Sequence, residues 1–123
     1  MKLDILPYSF SICQISKLHE AALPGSFCFL AQTDQEISLV CPTDHVPHDV
    51  LKQEDGFQAF RIQGTLDFSL VGILSRIASL LAKNQISLFA VSTFRTDYIF
   101  IKKEAFQRSL EVLKEDGFES AVY

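Results

Sequence analysis

The chain has 123 residues, of which 48% are hydrophobic, so it can bury a core as one ordinary domain or as two very small ones. Its 15 acidic and 11 basic residues give a net charge of -4, which opposes binding to the phosphate backbone of nucleic acids. No apolar run approaches the roughly 20 residues that span a bilayer, and the N-terminus lacks the apolar stretch of a signal peptide. We therefore expect a cytoplasmic protein that binds neither nucleic acid nor membranes.

The cysteines and histidines favour ordinary packing over metal or disulfide chemistry. Cys13, Cys28 and Cys41 are an odd number, and each lies inside or at the end of an apolar run, which predicts buried free thiols. Cys41, His45 and His48 have a spacing that suggests zinc, but a fourth ligand at a fitting distance is missing, and structural zinc sites are nearly always four-coordinate. We expect no metal site and no cofactor.

Seven strand-like segments follow one another along the chain, separated by turn residues and helical patterns. Their hydrophobic runs are short and rich in Phe, Ile and Val, which is typical of strands. The predicted strands cover residues 5–15, 27–32, 36–41, 57–64, 86–93, 97–102 and 118–122.

Two longer helices and two short ones are predicted between these strands. Residues 69–84 keep the apolar spacing of a buried helical face, with Asp67 or Ser69 as N-cap and Asn84 as a left-handed C-terminal residue. A second helix covers residues 104–116 and ends at Gly117. One short helix is predicted within residues 16–25. The other is predicted to begin after residue 44 or 47 and to end at residue 56.

Similar segments recur along the chain and indicate an internal repeat. The run LKQEDGF at residues 51–57 matches LKEDGF at 113–118. The Thr-Asp pair at residues 33 and 34 matches the pair at 96 and 97, and the two matches have nearly the same spacing along the chain. Each copy then follows the order strand, helix, strand, strand, helix, strand.

This order predicts an α+β, ferredoxin-like (βαββαβ) fold with two units in tandem. The first unit, residues 1–56, has room only for short helices and is degenerate, and the second unit covers residues 57–123. Two complete copies would need eight strands. The segment 57–64 therefore either closes one copy and opens the next, or one copy lacks a strand.

Residues 66–103 resemble ACT domains, which are small regulatory modules that sense amino acids. The motifs that carry the resemblance are Asp67 in the loop after a strand, the Gly-Ile-Leu run that starts at Gly72, and the segment STFRTD at residues 92–97. The chain is similar in particular to the tandem ACT group that includes cytosolic arginine sensors and small stand-alone bacterial proteins. Ser75 stands where some sensors carry an acidic residue, so the resemblance does not imply arginine as the ligand.

The resemblance implies a non-catalytic regulatory protein that binds an amino acid or a similar small molecule. It also implies a homodimer or a regulated protein partner. In the family the ligand lies where a helix start of one unit meets an edge strand of another. Carried over to this sequence, the ligand-binding residues are Asp67, Val71, Gly72, Thr93, Phe94 and Asp97.

These residue types suit an amino acid. A helix N-terminus offers unpaired N–H groups to the ligand carboxylate, and Gly72 would leave that backbone accessible. Asp97 or Asp67 would contact the ammonium group, Thr93 would add a hydroxyl, and Phe94 would pack on the apolar part of the ligand.

Other interpretations of the same residues remain open. Asp67 can be an ordinary helix cap, Gly72 can allow close packing, Asp97 can bond its own turn, and Phe94 can belong to the core. An ACT-fold interaction module without a ligand is the alternative function. An enzyme is not expected, because the sequence has no Gly-rich phosphate loop, nucleophile elbow or paired catalytic carboxylates.

Overall fold

The computed structural model describes residues 1–18, 25–64 and 72–123. Most of the predicted short helix at 16–25, and the start of the predicted helix at 69–84, lie outside these ranges. Among the described helices none is long and apolar enough to cross a membrane. The elements in chain order are β1 (Lys2–Ile15), β2 (Phe29–Gln32), β3 (Ile37–Pro42), a 3₁₀ turn (Thr43–His45), β4 (Val50–Ile62), α1 (Ile73–Lys83), β5 (Phe89–Ser92), β6 (Asp97–Lys102), α2 (Lys103–Glu115) and β7 (Glu119–Val122).

The chain divides into two compact units. The large unit consists of Met1–Pro7 and Gln58–Tyr123, and the small unit consists of Tyr8–Phe57. The long strands β1 and β4 each contribute residues to both units. The division of the sequence into repeat units at residues 56 and 57 remains a prediction.

The small unit has its strands in the order β2-β3-β1-β4. β1 runs antiparallel to β3, with Ile15 opposite Ile37, and β2 runs antiparallel to β3, with Phe29 opposite Val40. One face of these strands buries a small core. Its fully buried members are Cys13, Ile15, Leu39 and Cys41.

The large unit has its strands in the order β7-β1-β4-β6-β5. The start of β1 pairs in parallel with β7, with Lys2 opposite Glu119. The elements β4, α1, β5, β6, α2 and β7 follow the order βαββαβ along the chain, and β1 lies between β4 and β7 in the sheet. Both helices contribute to the core of this unit, which therefore has the α+β, ferredoxin-like architecture that the sequence predicts. Buried members of that core include Phe60, Ile62, Ile77, Leu81, Ile99, Ile101, Phe106 and Leu113.

The matching runs LKQEDGF and LKEDGF have different structures. Residues 51–57 lie within β4, whereas residues 113–118 contain the end of α2 and the turn that follows. The predicted short helix that ends at residue 56 is therefore wrong, and a 3₁₀ turn at Thr43–His45 is the helical structure in this segment. Pairing of β4 with its neighbours in the sheet overrides the local helix propensity of this polar run.

The β2–β3 and β5–β6 hairpins correspond to each other, but at a different offset along the chain from the one that the Thr-Asp match predicts. The bounds of β5 and β6 follow those of β2 and β3 at one constant offset along the chain. At this offset Thr33 corresponds to Thr93, while Asp34 lies in a turn and Asp97 begins a strand. The predicted equivalence of Asp34 and Asp97 is wrong, because a short sequence match cannot distinguish a turn residue from the strand residue that follows it.

The two corresponding turns have the same hydrogen bonds. The N–H of Thr33 donates to the carbonyl of Glu36, and the N–H of Thr93 donates to the carbonyl of Thr96, both over 2.9 Å. Each threonine hydroxyl also accepts a bond from the N–H three residues later, over 3.2 Å in the first turn and 3.3 Å in the second. A threonine that bonds its own turn replaces the glycine or asparagine that such a hairpin usually needs.

The ends of the two helices agree in part with the sequence. The N-cap of α1 is Gly72, so the predicted N-cap at Asp67 or Ser69 is wrong. Gly117 follows α2 with φ of 93°, as predicted for a C-terminal stop. Asn84 was expected to be left-handed, but its φ is -99°, and Gln85 has the positive φ of 59°. The left-handed residue after α1 is therefore Gln85, one position later than predicted.

Candidate functional site

A cleft of about 430 Å³ lies in the large unit, on strands β1, β4 and β6 and the hairpin before β6. Strand alternation explains which side chains line it, because neighbouring residues of a strand point to opposite faces. Leu3, Phe60 and Ile99 pack in the helix-covered core. Their chain neighbours therefore face the cleft, and the side chains that line it are Asp4, Arg61, Arg95, Thr96, Tyr98 and Tyr123.

Arg61 lines this cleft and forms a partly buried ion pair. Its Nε donates to Oδ2 of Asp4 over 3.1 Å, and the two side chains are 19% and 14% exposed. Its Nη1 donates to the hydroxyl of Tyr98 over 3.2 Å. The guanidinium carbon also lies 4.2 Å from the ring centre of Tyr123, a distance at which cation–π attraction is significant.

The charge of Arg61 is fixed by these contacts. Burial alone would lower the pKa of its guanidinium, but hydrogen bonds to Tyr98, Tyr123 and Asp4 outweigh burial and raise that pKa above its ordinary value. The second carboxylate oxygen of Asp4 accepts from Nε2 of Gln63 over 3.4 Å. The cleft thus holds a permanent cation beside a carboxylate and two phenol groups.

Two backbone contacts fix the walls of the cleft. The N–H of Tyr123 donates to the carbonyl of Ile5 over 2.8 Å, which holds the end of β7 beside β1. The hydroxyl of Thr96 donates to the carbonyl of Ile62 over 2.8 Å and ties the β5–β6 hairpin to the end of β4. Thr96 is buried, and its neighbour Arg95 is exposed at the rim.

Arg95 is a second cation at this cleft. It makes no hydrogen bond or ion pair with any residue in the part of the chain that the structure describes. Its guanidinium can therefore reach a ligand without breaking a contact among those residues. A planar guanidinium binds carboxylates through two parallel hydrogen bonds.

The six residues that the sequence predicts for ligand binding fall in two segments. Asp67 and Val71 lie outside the described residues. Gly72 is the exposed N-cap of α1 with φ of 89°, and no described atom lies within 4 Å of a Cβ built there. The backbone conformation, not close packing, therefore favours glycine at this position.

The other predicted residues belong to the hairpin and do not line the cleft. Thr93 bonds its own turn, and Oδ1 of Asp97 accepts a 2.5 Å bond from the hydroxyl of Ser92. Phe94 is 87% exposed, so the interpretation of Phe94 as a core residue is wrong. Between these predicted residues, Arg95 and Thr96 do line the cleft.

Sequence reasoning missed the central residues of this cleft. Asp4, Arg61, Tyr98 and Tyr123 come from four separate strand regions, and no local motif joins them. One signal was available for Arg61, because it stands between the apolar Phe60 and Ile62 in a strand pattern. A charged residue at an alternating position points away from the core and is a candidate for an open face.

A second cleft, of about 630 Å³, lies in the small unit. Two of its lining residues, Glu36 and Ser38, correspond to Thr96 and Tyr98 of the first cleft at the offset that relates the two hairpins. The two clefts therefore occupy corresponding places in the two units. Gln14, Lys52 and Glu54 complete the polar lining of this second cleft.

The thiols and histidines do not form a metal site in the described ranges. No group of three or more His, Cys, Asp or Glu residues there could hold a metal ion. Cys13 and Cys41 are buried, and Cys28 is half-buried. Burial raises the pKa of Cys41 to about 12, with smaller contributions from the other two thiols.

Known proteins resemble this chain in sequence and in fold. The sequence pattern of the ACT domain matches residues 52–115. A protein from Agobacterium tumefaciens of known crystal structure is 30% identical, with a TM-score of 0.88 over 99% of this chain and 92% of that chain. No curated protein matches the chain.

More distant solved structures share the fold. A Vibrio cholerae protein of unknown function is 20% identical, with a TM-score of 0.72 over 93% of this chain and 88% of that chain. The aspartate kinase of Clostridium acetobutylicum, an allosteric enzyme, is 13% identical, with a TM-score of 0.66 over 92% of this chain and 33% of that chain.

Proposed function

Because the chain belongs to the ACT-domain family, we propose that it is a non-catalytic regulatory protein that binds an amino acid or a similar small zwitterion. The observation that carries this proposal is the cleft of the large unit, where a fixed guanidinium, a carboxylate and two phenols converge. Ligand binding would change the association of the protein with a second copy or with a regulated partner in the cytoplasm.

The cleft suits a zwitterion because both charged ends of an amino acid must exchange water for protein partners. Arg61 and Arg95 would attract the carboxylate, and Asp4 would attract the ammonium group. The hydroxyls of Tyr98 and Tyr123 can donate or accept hydrogen bonds beside either end. Since Arg61 and Asp4 are already held in position, little ordering of side chains opposes binding.

We also propose that the two units are tandem ACT repeats, with the first one degenerate. The constant offset between the hairpins, their shared threonine turn and the corresponding clefts support this. At the same offset, the start of the 3₁₀ turn at Thr43 corresponds to the start of α2 at Lys103, so a single turn stands in place of a full helix. In this arrangement β4 closes the first repeat and opens the second.

Direct ligand contacts of the six sequence-predicted residues remain part of this proposal. Gly64 lines the cleft and begins the connection that contains Asp67 and Val71 in sequence. Arg95 and Thr96, which also line the cleft, stand between Phe94 and Asp97. A ligand in the cleft would therefore lie against residues that adjoin both predicted segments in sequence.

A thermal-shift screen of the purified protein with the twenty amino acids tests the proposal. At a hundred times its dissociation constant, a ligand stabilises the fold by about 2.7 kcal/mol, which raises the melting temperature of a protein of this size by roughly 8 to 15 °C. If none of the twenty shifts the melting temperature, amino-acid binding is wrong, and the interaction module without a ligand becomes the better interpretation.

Single variants then locate the site of any amino acid that binds. Tyr98→Phe removes a hydroxyl from the cleft, and we expect it to reduce the ligand-induced shift. Ser38→Ala is the matched control, because Ser38 holds the corresponding place in the small unit. Asp97→Asn tests the hairpin separately, since a loss of shift in this variant would mean that Asp97 contacts the ligand directly.

A further inference from the structure

The charges of the large-unit cleft indicate the class of its ligand, if the proposed function holds. Its described lining residues carry two guanidinium groups, on Arg61 and Arg95, and one carboxylate, on Asp4. Arg61 and Asp4 form an ion pair and largely cancel each other. Arg95 remains as a cation whose charge no described residue of the cleft compensates.

The corresponding cleft of the small unit has the opposite charge. Its lining residues include Lys52 and the two carboxylates of Glu36 and Glu54. Gln35 stands at the position of the first turn that corresponds to Arg95, so the hairpin forms without a cation at this position. The positive charge at Arg95 is therefore not required by the fold, and it distinguishes one cleft from the other.

We infer that the large-unit cleft binds an acidic amino acid, whose second carboxylate pairs with Arg95. Such a ligand carries two carboxylates and one ammonium group. These charges match the two guanidinium groups and the one carboxylate of the described residues that line the cleft. A charge-assisted bond between Arg95 and the side-chain carboxylate is stronger than a bond to a neutral amide. A neutral amino acid would bring one negative charge fewer to the same surroundings.

Arg61 and Arg95 would have different tasks in this arrangement. Arg61 is partly buried and held by Asp4 and Tyr98, so it provides a fixed positive potential at the floor of the cleft. Arg95 is exposed at the rim, where it can close over the ligand carboxylate that points toward solvent. Discrimination between ligands would therefore depend mainly on Arg95.

Isothermal titration with matched pairs of ligands tests this inference. L-Glutamate and L-glutamine have nearly the same shape and differ in one charge, as do L-aspartate and L-asparagine. We expect at least one acid to bind about tenfold more tightly than its amide. Equal or weaker binding of both acids would overturn the inference, whereas the proposed function fails only if no amino acid binds at all.

Variants of the two corresponding clefts make the test specific. Arg95→Gln should reduce the preference for the acid over its amide to less than about threefold, because the charge that selects the acid is lost. Arg95→Lys keeps the charge and should retain most of the preference. Lys52→Gln removes a cation from the other cleft and should leave the preference unchanged. A preference that survives in Arg95→Gln would show that Arg95 does not select the ligand.

Discussion

The side chain of Arg76 in α1 binds Asp116 at the end of α2 through two hydrogen bonds. Its Nε donates to Oδ2 of Asp116 and its Nη2 donates to the backbone carbonyl of the same residue, each over 2.6 Å. Asp116 is the C-terminal cap residue of α2. The guanidinium carbon also lies 4.8 Å from the ring centre of Phe118. One side chain therefore joins the two helices and satisfies a carbonyl at a helix end.

We expect Arg76→Ala to lower the free energy of unfolding by about 1 kcal/mol. The ion pair itself contributes little, since the two side chains are 54% and 39% exposed and water screens their charges. Most of the loss comes from the helix-end carbonyl and from packing on Phe118. Urea denaturation measures the change. Arg108→Ala, at an exposed position of α2, is the control, and an equal effect of both variants would contradict this account.

The partly buried pair of Arg61 and Asp4 should respond more strongly to the loss of one partner. Arg61→Met leaves the carboxylate of Asp4 without its main counter-charge, and we expect a loss of about 2 kcal/mol in the free energy of unfolding. Adding Asp4→Asn to this variant should recover much of the loss, because no uncompensated charge then remains. Urea denaturation of the two single variants and the double variant measures the coupling. Simple additivity of the two changes would contradict the ion pair.

The corresponding threonine turns should contribute similarly to stability. Thr33→Val and Thr93→Val keep the shape of the side chain but remove the hydroxyl that bonds the turn. We expect each to lower the free energy of unfolding by about 1 kcal/mol. Thermal melts measure the change. Thr33→Ser and Thr93→Ser retain the hydroxyl and are the controls. A cost at one turn and none at the other would argue against their equivalence.

The three thiols should differ in reactivity. The thiolate is the reactive form, so a raised pKa leaves less of it at a given pH and slows labelling. Burial raises the pKa of all three thiols, to about 12 for Cys41. We expect Cys28, which is half-buried, to react first with a bulky reagent at pH 8, and Cys13 and Cys41 to react only after unfolding in urea. Rapid labelling of two or more thiols in the folded protein would contradict this prediction.

Local patterns in the sequence predicted the regular elements well. Residues 97–102 form β6 as predicted, and α2 begins and ends within one residue of its predicted bounds. The apolar face of the predicted helix at 69–84 packs in the core through Ile77 and Leu81. These features depend on residues that are close in sequence, where periodicity and turn residues are informative.

Non-local pairing explains the errors. Residues 52–55 are polar and favour a helix locally, but they lie in β4. The sheet pairs β4 with β1, which is far away in sequence. The repeat match at Thr-Asp was misplaced because threonines occur on both sides of the second turn. The strand bounds and the hydrogen bonds of the turn show that Thr93, not Thr96, corresponds to Thr33.

The sequence by itself determined the α+β class, most strands, both long helices and the resemblance to ACT domains, because hydrophobic periodicity and short motifs are local properties of a chain. Only the tertiary structure brought Asp4, Arg61, Tyr98 and Tyr123 into one cleft. Their proximity arises from strand order, since β1, β4 and β6 are neighbours in the large unit although they are distant along the chain. Which charged side chain meets which partner is decided by that pairing, and a linear sequence does not record it.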